Sequence, residues 1–169
     1  MSVALAAHAP CPLVVVRPPS ADVAALDLSV VVGLDADGEA TNLLTLGFEL
    51  ASAHYRPLHV VHALGAAPLF PCPDVVDSGW LTRSLEAAEE FLDASLKGYD
   101  ERFPDVEVHR RVALGTPTQV LVDASRTAAT VVVGCRGRGT VRSRVLGSVS
   151  RAVVEEAHST VVVVRGARS

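Results

Sequence analysis

Continuous apolar runs alternate along the chain with segments in which apolar residues recur every three or four positions. The runs are typical of strands buried on both faces, and the spacing of three or four is typical of helices with one buried face. The alternation predicts the order βαβαβαβαβ. Right-handed crossovers then give an α/β fold with a doubly wound, five-stranded parallel sheet and helices on both faces. The predicted strands cover residues 28–34, 57–64, 106–112, 130–134 and 160–165.

Four helices are predicted between these strands. Residues 106–112 alternate between apolar and polar side chains, so that strand is expected at the edge of the sheet. Residues 65–79 contain three of the ten prolines and show no period, which predicts a long loop. Thr116 is the expected N-cap of the third helix and Pro117 its first residue. The predicted helices cover residues 39–54, 80–102, 115–126 and 148–157.

The composition indicates one compact domain with an aliphatic core. The chain has 169 residues, of which 49% are hydrophobic, 4% aromatic and 20% charged, and this excludes a disordered protein. The net charge of −4 gives no general reason to expect nucleic acid or an anionic membrane as a partner. No run approaches the ~20 apolar residues of a membrane helix, and residues 1–9 lack the basic start of a signal peptide. We expect no membrane partner and no nucleic acid partner.

Cysteine and histidine positions argue against a metal site. Cys11, Cys72 and Cys135 form no CxxC pair, so neither a disulfide framework nor a zinc site is indicated, and a reducing, cytoplasmic setting is predicted. His59 and His62 are three residues apart on one strand and therefore on opposite faces, where they are expected to pack rather than share an ion. Cys135 is interpreted as an inert small residue, with a sensitive thiol as the alternative.

A segment rich in glycine and arginine, GCRGRGTVRSRVLGSVSRAV at residues 134–153, follows a buried strand and leads into a helix. Ligands of doubly wound sheets bind at this carboxyl end, where the connections diverge. Its glycines let the backbone approach a ligand, and the helix start at Gly147 suits a phosphate. Thr140 and Val141 rule out a Walker A loop, and Arg142 rules out a dinucleotide fingerprint. A tight turn with solvated arginines is the alternative interpretation.

The pattern Gly134-x2-Gly137-x9-Gly147-Ser148 resembles the ATP-binding motif of the universal stress protein family. The stretches GCRGRG, LGSVSRAV and VVVVR resemble the closing section of that family, and the similarity covers nearly all of residues 28–165. The resemblance implies an adenine nucleotide alpha hydrolase-like fold. It also implies ATP as the ligand, with AMP or ADP as alternatives, accompanied by Mg²⁺.

The resemblance further implies the residues that contact the nucleotide. An Asp after the first strand would contact the ribose or adenine, a Val in the second strand would line the adenine pocket, and the glycine loop with the helix start would hold the ribose and phosphates. The residues carried over are Asp35, Val60, Gly134, Gly137, Gly147, Ser148, Val149 and Ser150.

One departure from the family pattern lies beside the predicted ligand. The family usually continues Asp-Gly-Ser after the first strand, whereas this chain reads Asp35, Ala36, Asp37, Gly38. The additional carboxylate of Asp37 would repel triphosphate oxygens unless Mg²⁺ lies between them. Asp35 also has a structural alternative, since an Asp just after a strand often caps a turn or the next helix.

The segment HAPCPLVVVRPPS at residues 8–20 resembles the last strand of another universal stress domain. Residues 1–27 are therefore interpreted as the last strand and linker of a preceding domain, and residues 28–166 as a universal stress protein domain. A short apolar strand needs backbone partners, so it should add to a sheet edge. Members of that family commonly dimerise through the last strand, and the two domains of tandem members meet in the same way. The resemblance therefore predicts that Leu13–Val16 adds antiparallel to Val161–Val164. The strand would come from its own chain or from a second copy, and a homodimer through this edge is expected.

The function implied by the resemblance is an ATP-binding module of the stress response or of signalling. No Ser/His/Asp or paired-carboxylate arrangement is predicted at the carboxyl edge, so no catalytic residue is assigned and at most a slow ATPase activity is expected. A nucleotide-independent dimerisation or interaction module is the alternative, which Asp37 favours and the glycine spacing opposes. An adenylyl-transfer enzyme would need a catalytic Lys or metal carboxylates, which the sequence does not place.

Overall fold

The computed structural model describes five stretches of the chain. Predictions that concern Asp37, Gly137, Cys72 and the arginines of the glycine loop lie outside the described residues. Within the described part, no helix has the combined length and hydropathy that crossing a bilayer requires. The described stretches are residues 11–17, 28–36, 40–65, 78–135 and 146–165.

Strands and helices alternate through the described residues in the predicted order, after one additional strand at the start. The strands are β1 (Leu13–Val15), β2 (Val30–Leu34), β3 (Leu58–Leu64), β4 (Val108–Leu114), β5 (Thr130–Gly134) and β6 (Thr160–Val164). The helices are α1 (Ala40–His54), α2 (Ser78–Leu96), α3 (Tyr99–Arg102), α4 (Pro117–Ala124) and α5 (Ser148–Glu156).

The helix predicted over residues 80–102 is divided in the structure. Gly98 adopts a left-handed conformation with φ 83°, which ends α2 and precedes the short α3. Glycine has no Cβ and takes this conformation at little cost. The apolar period of the sequence nevertheless continues through Gly98. Tyr99 of α3 still packs on the core, with its ring stacked on Phe48 at a centroid distance of 4.7 Å. The apolar period therefore predicted one helix where there are two.

The sheet has six strands in the order β4-β3-β2-β5-β6-β1. Strands β2 to β6 are parallel to one another, which confirms the doubly wound α/β fold, and β4 lies at the predicted edge. The connection after β2 leads to β3 on one side, and the connection after β5 leads to β6 on the other. The chain therefore diverges between β2 and β5, at their carboxyl ends.

Two apolar clusters form the core, one on each face of the sheet. On one face, Phe48 and Leu92 from α1 and α2 pack on the strands, and on the other face Leu121 and Val153 from α4 and α5 do so. Gly47 brings α1 close to the sheet, because a Cβ at this position would overlap the buried side chain of Val32. Helices thus cover both faces, as the hydrophobic runs predicted.

Strand β1 pairs antiparallel with β6 of the same chain, with Leu13 opposite Val163 and Val15 opposite Val161. The antiparallel addition of this segment to the last strand is confirmed. Leu13 and Val15 pack on the cluster beneath α5, whereas Val14 is 54% and Val16 77% exposed. One face of β1 therefore completes the core.

Arg17 fixes the end of β1 to helix α5. Its guanidinium Nη2 donates to the backbone oxygen of Val154 and, at 3.0 Å, to that of Glu155. Both oxygens belong to the last turn of α5, where carbonyl groups lack partners within the helix and the macrodipole favours a cation. Arg17 therefore caps the helix that begins at the carboxyl edge of the sheet.

Candidate functional site

The carboxyl ends of β2 and β5 provide the framework of the candidate site. These strands are neighbours at the point where the connections diverge, which is where doubly wound sheets form their ligand crevice. Asp35 directly follows β2 and Cys135 directly follows β5. Two of the predicted site elements, the Asp35 turn and the glycine-rich connection, therefore leave the sheet side by side.

The base of the glycine-rich connection is closed by hydrogen bonds between its two ends. The Gly147 N–H donates to the Cys135 oxygen at 2.9 Å. The Ser150 hydroxyl donates to the oxygen of Gly134, the last residue of β5. The Cys135 N–H donates in turn to the Val164 oxygen at 2.8 Å, which ties the same point to β6. We call these three hydrogen bonds the loop stem.

The start of α5 offers backbone donors at the crevice. Gly147 is the N-cap and provides no side-chain cap, and the first intrahelical bond runs from the Arg151 N–H to the Gly147 oxygen at 2.9 Å. The N–H groups of Ser148, Val149 and Ser150 therefore have no acceptor within the helix. Together with the positive end of the macrodipole, they can hold an anionic group such as a phosphate.

The structure places most of the predicted site residues at one edge. Six of them lie at or next to the carboxyl ends of β2 and β5 or in the first turn of α5, namely Asp35, Gly134, Gly147, Ser148, Val149 and Ser150. Val60 differs from them, since it is fully buried in the middle of β3 beside Val32, within the cluster under α1 and α2. Its predicted contact with adenine stays a prediction, as does the predicted contact of Gly137 with the ribose or phosphates.

His62 contributes to the site in a way that the sequence did not indicate. Its Nδ1 lies 2.9 Å from the oxygen of Leu34, the residue before Asp35, and its ring packs on Phe91 at a centroid distance of 5.3 Å. A carbonyl oxygen only accepts, so Nδ1 carries the proton in this bond. His62 thus holds the end of β2. The alternation of side chains along β3 predicts the sheet face on which His62 lies, but it does not predict the hydrogen-bond partner of the ring.

The remaining histidine and cysteine candidates form no metal centre in the described part of the chain, where no group of three potential metal ligands occurs. His59 lies on the opposite sheet face from His62, as predicted, and its ring contacts that of His109 at a centroid distance of 4.8 Å. Cys135 is buried and Cys11 is exposed. Burial of Cys135 agrees with its interpretation as an inert small residue.

Comparison with known proteins identifies the family. The model of the family described as "Universal stress protein family" matches residues 29–165. A universal stress protein of Mycobacterium tuberculosis, Rv1996, is 36% identical over 175 residues, which cover 98% of this chain and 52% of the relative. Rv2623 of the same species is 32% identical over 167 residues, covering 98% and 54%. The chain spans about half the length of these curated relatives.

Solved structures share the fold at lower identity. The universal stress protein UspA from Lactobacillus plantarum has a TM-score of 0.69 and 19% identity, covering 82% of this chain and 98% of its own. A universal stress protein from Archaeoglobus fulgidus, solved in complex with dAMP, has a TM-score of 0.56 and 22% identity, covering 81% and 97%. With the family model matching most of its length, the chain belongs to the universal stress protein family.

Proposed function

We propose that this chain is an adenine-nucleotide-binding module of the stress response or of signalling, with ATP and Mg²⁺ as the ligand and AMP or ADP as alternatives. The nucleotide would lie between the turn after β2 and the start of α5. The module would act in the cytoplasm through a change in conformation or assembly. No efficient catalytic turnover is part of the proposal, which allows at most slow ATP hydrolysis.

One observation carries this proposal: the uncapped start of α5 is hydrogen-bonded to the carboxyl end of β5, the strand next to β2, where the sheet connections diverge. Three backbone donors at a helix start suit phosphate, and a crevice at this point of a doubly wound sheet suits the rest of a nucleotide. Two family structures add support, since one was solved with dAMP and another, with 23% identity and a TM-score of 0.56, with cAMP.

The donor set fits a nucleotide-bound Mg²⁺ ion better than a resident metal. Mg²⁺ prefers carboxylates, phosphate oxygens and water, and is commonly held by one or two carboxylates together with the substrate phosphates. The described residues contain no three-ligand group, but Asp35 supplies a carboxylate at the crevice. Asp35 would therefore hold the ion or a sugar hydroxyl, while the ion would supply charge neutralisation between phosphate oxygens and nearby carboxylates.

The homodimer predicted through Val161–Val164 is retained in this proposal with one condition. In the structure, β1 of the same chain already pairs with β6 along this edge. A second copy can reach β6 only when β1 leaves it. We therefore propose that the dimer forms by exchange of β1, so that each copy provides the strand that covers the partner's β6.

Calorimetric titration of Mg²⁺-ATP into nucleotide-free protein tests the proposal, with Gly147→Glu as the blocking variant. Gly147 has φ −61° and ψ 156°, a conformation that any residue adopts, so the substitution introduces no backbone strain. It places a carboxylate at the helix start that would hold the phosphates. We expect saturable binding by the wild-type chain and at least a tenfold loss of affinity in the variant.

The matched control is Thr116→Glu. Thr116 is the N-cap of α4, which follows the edge strand β4, so this variant adds the same charge at a different helix start. Its affinity should equal that of the wild type. Absence of binding to folded, nucleotide-free protein would overturn the proposal in favour of the nucleotide-independent interaction module. Retained affinity in Gly147→Glu would show that the phosphates do not lie at α5.

A further inference from the structure

Ser150 makes an unusual contact for a side chain in the first turn of a helix. Its side chain is almost completely buried, with 4% of the residue exposed, and its hydroxyl donates to Gly134, 16 positions earlier. The acceptor is the backbone oxygen at the end of β5. A hydroxyl has only one proton, so in this arrangement Ser150 has no side-chain donor left for a ligand oxygen.

This contact and the Gly147 bond hold the helix start at two points. The Gly147 N–H reaches the Cys135 oxygen at the N-cap, and the Ser150 hydroxyl reaches Gly134 most of a turn later. A rotation of α5 about its axis, or a shift along it, would break at least one of the two bonds. The direction of the N–H groups of Ser148, Val149 and Ser150 is therefore fixed relative to β5.

We propose that Ser150 is a positioning residue for phosphate binding: it acts through the Gly134 carbonyl, holding the first-turn N–H groups of α5 in the direction that a phosphate requires. This inference rests on the nucleotide function proposed above, keeps the Ser150 N–H as a phosphate donor, and replaces a direct contact of the Ser150 hydroxyl with the ligand. Preorganised donors bind an anion without first losing orientational freedom. Removal of the hydroxyl therefore weakens binding even though no ligand contact is removed.

The test compares Ser150→Ala with Ser150→Thr, which retains a hydroxyl, and with Ser125→Ala as the matched control. Ser125 is also a buried serine, with 1% exposed. Its hydroxyl donates to the Val122 oxygen at 2.6 Å and accepts from the His158 N–H at 2.9 Å, near the amino ends of β5 and β6. Each variant is measured for Tm, for calorimetric affinity for Mg²⁺-ATP, and for amide hydrogen exchange of Gly147–Ser150 without nucleotide.

We expect Ser150→Ala to lose about tenfold in affinity and to exchange at least tenfold faster at the Gly147 amide without nucleotide, both of which Ser150→Thr restores in part. Ser125→Ala should lower the Tm while leaving both readouts at the wild-type level. This separates positioning from a general loss of stability, because a purely structural role would change the Tm alone.

Three results would overturn the inference. Wild-type affinity and exchange in Ser150→Ala would show that the Gly134 contact does not orient the helix start. Lower affinity with unchanged exchange would show that Ser150 touches the ligand directly. A wild-type chain that binds no nucleotide, combined with faster exchange in Ser150→Ala, would show that the proposed function fails while the contact still holds the helix.

Discussion

At the scale of single residues, Tyr55 shows how a local conformation conflicts with its side chain. Tyr55 follows α1 with φ 54° and is 92% exposed. Its N–H donates to the Ser52 oxygen at 3.2 Å, and the Arg56 N–H donates to the Ala51 oxygen at 2.9 Å. These bonds form a Schellman motif, in which the residue at this position is usually glycine. The chain thus ends α1 with a tyrosine in a glycine conformation.

Replacement of Tyr55 by Gly should therefore stabilise the protein. A left-handed conformation costs a residue with a Cβ about 1 kcal/mol more than it costs glycine, and little packing is lost because the tyrosine is exposed. We expect Tyr55→Gly to raise the free energy of unfolding by about 1 kcal/mol, as measured by urea denaturation. Tyr55→Ala keeps the conformational cost and should match the wild type. Equal stability of the Gly and Ala variants would contradict this account.

Residue contacts were the part of the site that the sequence predicted least well. The glycine spacing and Asp35 predicted one candidate site, and the described residues among them lie at one edge because the carboxyl ends of neighbouring parallel strands share that edge. The bond from Ser150 to Gly134 and that from His62 to Leu34 depend on how closely α5 and β3 approach their neighbours. That approach is set by packing of the whole core, which a linear pattern does not contain.

At the scale of elements, the sequence was most informative where local chemistry decides. The valine-rich runs predicted the strands, and Thr116 caps α4 as expected, its hydroxyl accepting from the Gln119 N–H at 3.3 Å. The division of a predicted helix at Gly98 was missed because the apolar period continues on either side of this residue. The hydrophobic pattern also did not predict how the end of β1 is held, since nothing in the sequence pairs Arg17 with the end of α5.

Arg17→Ala should release β1 from the sheet. The variant removes two charge-assisted hydrogen bonds to the last turn of α5 and one favourable interaction with the helix dipole. We expect a loss of about 1 to 2 kcal/mol in the free energy of unfolding. Amide hydrogen exchange should become faster at Leu13–Val15, with little change in β2 and β3.

Arg151→Ala provides the comparison for this prediction. Arg151 lies on the same helix and forms an exposed ion pair with the Glu155 side chain at 3.2 Å. Exposed pairs of this kind contribute ~0–1 kcal/mol, so this variant should remain close to the wild type. If the two arginine variants unfold and exchange alike, Arg17 does not hold β1 in place.

At the scale of the whole molecule, the duplicated strand sequence predicted that the first segment would cover the last strand, and the structure shows this pairing within one chain. The sequence could not distinguish pairing within a chain from exchange between chains, because both use the same residues and the same register. The difference depends on the linker and on protein concentration, which side-chain patterns do not specify.

Cysteines at Val14 and Val162, which lie directly opposite each other, distinguish the two arrangements. Opposite residues of antiparallel strands are about 4.5 to 5.5 Å apart between Cα atoms, within the range of a disulfide. In a variant without the three native cysteines, oxidation should give cross-linked monomer at low concentration. If β1 is exchanged between chains, the fraction of covalent dimer should increase with the protein concentration at which the sample is equilibrated before oxidation. Monomer and dimer are distinguished on a non-reducing gel.

Single substitutions at Val14 and at Val162 are the controls for this trap, since neither can cross-link within a chain. Covalent monomer at every concentration would contradict the exchanged homodimer and leave the pairing within the chain intact. Covalent dimer at every concentration, including the lowest, would show that β1 does not pair with its own β6 in solution.

The position of β1 also has a consequence for the order in which the protein is made. Arg17 and its acceptor on Val154 are separated by 137 positions, and β6 follows still later. On the ribosome, β1 is therefore synthesised long before its partner strand. A closure of this length is slow compared with local pairing, and an apolar strand that waits for it is open to association with other chains. The interval between the synthesis of β1 and that of β6 is thus the period in which β1 is most open to pairing with another chain.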